Sequence, residues 1–266
     1  MKKFSWLIGL SALLIFTGCF DTEEEVTIND SGSGIYANSM DMGKIIGMLK
    51  AFGGEEKEMK EIAQLKTDTL IYFKDIKDSL KNLNTAEKKI IEPGTLRVKI
   101  DAEDEQCSFI FSIPFSKTED IGNIRSVLNK AKQDILKNSM KEKFPKKDGE
   151  NKGMFGKEID EDGDGEMGVE IDGYYTIVYG KNKITRKVKK EKIANIEEDK
   201  SLTTLKEMSQ MGMSMNMKTV INLPKPAKKA EGKGVKLSND RKKVTIEGTL
   251  DDFFEDASYF EYEIEY

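Results

Sequence analysis

The clearest signal along the chain is a change of hydrophobic period near its middle. Over residues 95–101 the apolar positions are Leu96, Val98 and Ile100, and over 107–115 they are Cys107, Phe109, Phe111, Ile113 and Phe115. Period-two alternation predicts two strands with one buried face each, joined through the polar residues 102–106 as a hairpin. Immediately afterwards the period lengthens. Ile121, Ile124, Leu128, Ala131 and Ile135 recur every three or four residues, so 117–138 is predicted as a helix with one apolar stripe. The chain ends on a third alternation, with Phe260, Tyr262, Ile264 and Tyr266 set between Glu261, Glu263 and Glu265.

Weaker signals fill the intervals. Strands are predicted over 26–29 and 35–42, around a turn at 30–34 rich in Asp, Ser and Gly, and over 67–73. A hairpin is predicted from 171–179 and 184–188. A strand over 213–223 is closed by Pro224 and Pro226, and short strands at 235–237 and 244–246 pair across a turn. Helices are expected at 43–52, 55–65, 75–83, 201–210 and 250–257. One more, ending near Ile91, starts behind Asn84, where Glu87 gives capping-box spacing. Residues 139–168 lose all periodicity and read as a long charged loop. Strands and helices mix without a regular βαβ beat. The expected class is therefore α+β, a mostly antiparallel sheet with helices packed on one face, forming a single domain over 26–266.

The first nineteen residues follow a different grammar. Met1-Lys2-Lys3 is basic, residues 4–16 are almost wholly apolar, and Thr17-Gly18-Cys19 follows. The apolar run falls short of the roughly 20 residues that span a bilayer and suits a signal-peptide core. This arrangement resembles the signal peptide and lipobox of bacterial lipoproteins, with Phe16 where that family usually has Leu. The resemblance implies cleavage before Cys19, a thioether-linked diacylglycerol on its sulfur and usually an N-acyl chain such as palmitate. It implies a signal peptide at 1–18, a lipidated acidic tether at 19–25, and a protein anchored in the cell envelope. With no Asp directly after Cys19, the outer membrane is expected, on its periplasmic side or at the cell surface.

Composition narrows the chemistry. Among 266 residues there is no histidine, which removes Ser-His-Asp and Cys-His catalysis and histidine zinc ligation together. Lys and Arg number 43 against 48 Asp and Glu. Loss of residues 1–18 takes Lys2 and Lys3 with it and leaves a net charge of −7. An acidic protein lacks the basic face that nucleic acid asks for. With Cys19 lipidated, Cys107 is the remaining cysteine, and its place on an apolar strand face reads as a small buried hydrophobe.

Two motifs carry candidate ligand chemistry. Asp160, Asp162 and Asp164 precede Gly165 in the D-x-D-x-D-G order of the first half of a calcium loop, in which alternate carboxylates converge on one hard cation. The twelfth position holds Ile171 where a bidentate Glu belongs, so the alternative is a solvated acidic turn. Met211, Met213, Met215 and Met217 share one face of a predicted strand. Thioethers so placed are adaptable core filler, the lining of a pocket for an apolar ligand, or soft ligands for Cu(I).

The functional expectation is a membrane-anchored lipoprotein acting as a non-catalytic binding or assembly module, not an enzyme. The rival readings are a carrier of lipid or another apolar ligand and a histidine-free envelope enzyme. An apolar cavity lined by the methionine strand would mark the carrier, and a filled core with an apolar surface patch would mark the binding module.

Overall fold

The computed structural model describes residues 20–44, 46–47, 66–143, 171–210 and 215–266. Twelve strands among them form two sheets. The larger sheet contains β1 (Phe20–Ile28), β2 (Gly34–Asp41), β3 (Lys66–Tyr72), β4 (Thr95–Asp101), β5 (Gln106–Phe115), β8 (Met215–Asn222), β10 (Val235–Leu237) and β11 (Lys243–Thr249). Its order is β10-β11-β8-β1-β2-β5-β4-β3. Every pairing in it is antiparallel except that of β1 with β8. The smaller sheet, in the order β6-β7-β12-β9, is built from β6 (Tyr175–Tyr179), β7 (Lys183–Val188), β9 (Lys229–Glu231) and β12 (Tyr262–Glu265). The class is α+β, as the alternation and periodicity predict.

The central hairpin has the predicted register. Leu96, Val98, Ile100, Cys107, Phe109, Phe111, Ile113 and Phe115 all point inward and are buried. Helix α2 (Ile121–Lys143) lays Ile121, Ile124, Leu128, Ala131 and Ile135 on the same core. Before it stands α1 (Thr85–Ile91), which carries the predicted capping box. Asn84 Oδ1 accepts from the backbone N–H of Ala86 and Glu87, and Glu87 Oε2 accepts from the N–H of Asn84 at 2.9 Å. Glu87 also binds Lys130 of α2 through its other oxygen, so one side chain both caps a helix and docks it on its neighbour. Two further helices, α3 (Lys200–Gln210) and α4 (Leu250–Glu255), follow the predicted positions closely. The predicted helix at 75–83 is reduced to a four-residue turn, Phe73–Ile76, and a 3-10 turn, Lys77–Ser79.

The main departure lies at the start of the described chain. Residues 20–25, expected as a tether, belong to β1, which runs through the middle of the larger sheet between β8 and β2. Three successive glutamates hide the strand from a hydropathy reading. In the fold they alternate as any strand does. Glu24 points into the core and is buried against Arg125 and Tyr179. On the outer face Glu23 meets Lys218 at 3.2 Å, and Glu25 accepts a hydrogen bond from Asn222 at 2.6 Å.

Candidate functional site

The inner face of the larger sheet is mostly apolar, and around Glu24 on that face the core holds a group of charges and phenols. Arg125 comes from α2, where it falls within the apolar stripe one residue beyond Ile124. Its Nη2 donates to Glu24 Oε2 at 2.7 Å and also to Asp172 Oδ2, while its Nη1 donates to Tyr179 Oη at 3.2 Å. Tyr179, the last residue of β6, donates a hydrogen bond from its hydroxyl to Glu24 Oε1 at 2.9 Å, which closes a ring of three side chains from three elements. Asp172 sits in the 3-10 turn that leads into β6. Its Oδ1 lies 3.2 Å from Arg186 Nη2 on β7, an ion pair without hydrogen-bond geometry. The Arg186 guanidinium is stacked 4.0 Å over the Tyr175 ring, and the Tyr175 hydroxyl donates to the carbonyl of Ala257.

Two guanidinium groups and two carboxylates therefore neutralise one another inside the core. The environment pushes the carboxylates apart. Burial raises the pKa of Glu24 against the opposing pull of Arg125. At Asp172 burial acts in the same upward direction, but the two nearby arginines overcome it and the pKa falls below the usual carboxylate value. Burial raises the hydroxyls of Tyr36 and Tyr179 well above the ordinary phenol value and lifts Tyr262 to about 12. The donors Arg125 Nε, Arg186 Nε and Nη2, and the Tyr262 hydroxyl have no hydrogen-bond partner among the described residues. The cluster holds its hydroxyl–carboxylate pair, Tyr179 with Glu24, in the buried interior. Its geometry ties together β1, α2 and the smaller sheet, and it meets solvent at the partly exposed Asp172.

No local sequence signal marks this site. Glu24 lies in an acidic run, Arg125 in a helical stripe and Arg186 in a short lysine-rich strand. They are separated by 101 residues and by 61 residues along the chain, and only the packing of the two sheets brings them together.

The predicted site residues have other fates. Met215 is buried and Met217 half-buried, both packed on the core, the position expected of filler. Met211 and Met213 lie outside the described residues, as do Cys19 and the calcium-loop residues Asp160, Asp162 and Asp164. Cys107 is buried, and burial, with the Asp41 carboxylate in second place, pushes its thiol up to about 11, far from a reactive thiolate. Among the described residues no three Asp, Glu or Cys side chains gather closely enough to hold a metal ion, and no helix is long and apolar enough to cross a membrane.

On the opposite face of the larger sheet, towards its β3 end, large apolar side chains are exposed. Ile35, Leu70, Tyr72 and Ile110 are 51%, 50%, 46% and 37% exposed there. Leu70 and Ile110 flank Arg97 across three adjacent strands, and Ile35 pairs with Pro114. Arg97, between Leu70 and Ile110, makes a two-pronged bond to Asp68, at 2.8 and 2.7 Å.

No family model matches the sequence, and no curated protein or solved structure matches it either.

Proposed function

We propose that this protein is a lipoprotein anchored in the cell envelope through Cys19, and that its globular domain is a non-catalytic module that binds a protein partner. The observation that carries the reading is the outer face of the larger sheet. Single apolar side chains on a surface are ordinary, but four large ones on one face of a sheet, carried by β2, β5 and β3, mark a candidate protein contact. The inner face supports the same reading. Its core is continuous from the larger sheet to the smaller one, and the described members of the methionine strand pack within it. The charged groups of the core are held in ion pairs with one another.

The test is a double substitution on the exposed face, Leu70→Asp with Ile110→Asp, in the membrane-bound protein. Both side chains are near half-exposed, so the melting temperature should barely move. Wild-type protein solubilised in mild detergent should migrate on a native gel as a complex, and the double variant as the lone chain. Identical migration of the two proteins would sink the proposed interface. Intact mass separately tests the anchor, which requires loss of residues 1–18 and added acyl mass on Cys19.

A further inference from the structure

Lipoproteins can stand off a membrane on a flexible spacer, but here the residue after Cys19 is already in the sheet. Phe20 pairs with Met215, and Asp21 pairs on its two sides with Asn216 and Asp41. Consecutive Cα atoms are about 3.8 Å apart, so an anchor on the residue before Phe20 has one peptide link of slack from the start of β1. The elements that share this end of the sheet are fixed by register. They include the end of β2 at Asp41, the turn 102–105 between β4 and β5, the start of β3 at Lys66, the start of β8 at Met215 and the end of β11 at Thr249, where α4 begins. This end is held firmly. Met42 N–H donates to the carbonyl of Cys107, Lys44 reaches Asp21 at 3.5 Å, and Lys66 reaches Asp101 at 2.7 Å. A Cβ on Gly43 would lie 2.1 Å from the carbonyl oxygen of Glu105, so the chain after β2 is pressed against the turn 102–105. The opposite end carries the turn around Asp30 and the β10–β11 turn. β1 spans eight residue steps, which at about 3.3 Å each separate the two ends by roughly 26 Å.

We infer that the sheet end formed by Asp21, Asp41, Lys66 and the turn 102–105 lies directly on the lipid headgroups, with the strands rising from the bilayer and the Asp30 turn pointing away. The inference rests on lipidation of Cys19, as the proposed function does, and adds an orientation that lipidation alone does not impose. It leaves the apolar outer face upright beside the membrane, open to a partner in or along the same surface.

The experiment uses the full chain, processed in cells, extracted and reconstituted into phosphatidylcholine vesicles containing lipid with a spin-labelled headgroup. One preparation carries a fluorophore on Asp104→Cys, in the turn 102–105, and a second carries it on Asp30→Cys. Both positions are exposed, whereas Cys107 is buried and should not label. The orientation predicts loss of most of the fluorescence at position 104 and almost none at position 30. A third preparation inserts sixteen Gly/Ser residues between Cys19 and Phe20, whose root-mean-square reach is about 22 Å. That insert should relieve the quenching at 104 while the acyl mass is retained. Equal or absent quenching at 104 and 30 in protein whose mass proves acylation overturns the orientation and leaves the anchor standing. Absence of acyl mass overturns both.

Discussion

Arg125 is the side chain on which most of the buried polar structure depends. It holds Glu24 and Asp172 together and braces Tyr179, with Glu24 and Tyr179 buried and Asp172 partly open to water. Replacing it by Met keeps much of the volume but leaves two carboxylates facing each other in the core. Removing one partner of a buried ion pair costs about 3–5 kcal/mol, so Arg125→Met should lower the denaturant midpoint sharply. Denaturation in urea, read by circular dichroism, measures it, and a loss below about 1 kcal/mol would mean that water reaches the cluster. Glu24 offers a test of sign. Its folded pKa lies above the ordinary value of 4.5, so the folded state holds its proton to higher pH than the unfolded chain does. Stability from this group is therefore present below the unfolded pKa and declines as pH rises through the folded one. Asp172 has the opposite sign, since its lowered pKa contributes stability above the ordinary 3.8 that is lost in acid. Wild type should accordingly lose stability relative to Glu24→Gln as pH climbs from about 4.5, and then level off. Urea midpoints of the two proteins across that range give the comparison, and a constant difference would contradict the raised pKa.

Strands β4 and β5 show how a two-residue period becomes an architectural layer. Their inward residues share one buried core with the apolar stripe of α2, while the outward Lys99 and Arg97 stay in water. Phe111 is fully buried against Phe73, with ring centroids 6.4 Å apart. Truncating it to Ala removes that burial and leaves a cavity, a loss of about 3–5 kcal/mol. Lys99→Ala, one strand away on the outer face, should change stability by no more than about 0.5 kcal/mol. Thermal melts of the pair measure the contrast, and similar losses for both would mean the faces are reversed. The same alternation operates in β1, where it is written in glutamates. Its buried partner is a guanidinium in place of an apolar side chain, and the element is no less a strand for that.

The molecule as a whole couples its proposed anchor to a charged rim. Asp21, Asp41, Asp101, Glu103, Asp104 and Glu105 crowd the end of the sheet that the anchor would hold to the membrane, against Lys44 and Lys66. A bilayer of neutral headgroups accepts such a rim, but an anionic one repels it, and the repulsion fades beyond about 8–10 Å at physiological salt. Adding phosphatidylglycerol to the vesicles should therefore weaken quenching of the label at position 104. Raising the salt concentration should restore it. Insensitivity to both changes would indicate that the rim does not face the lipid.

The periods along the chain were sufficient for the hairpin at 95–115, the apolar stripe of α2, the capping box at Asn84, the terminal strand and the α+β class. Each depends on contacts that repeat every two to four residues, and such contacts leave a local record. The strand identity of Phe20–Glu25, the parallel pairing of β1 with β8 and the division into two sheets left no such record. A buried glutamate reads as a surface residue until its arginine is known, and Arg125 arrives 101 residues later from another element. Pairing between strands nearly 200 residues apart is likewise chosen by closure of the whole core and not by any window of sequence. The charge cluster and the apolar face exist only in three dimensions, because each is assembled from residues whose nearest neighbours in space are remote in the chain.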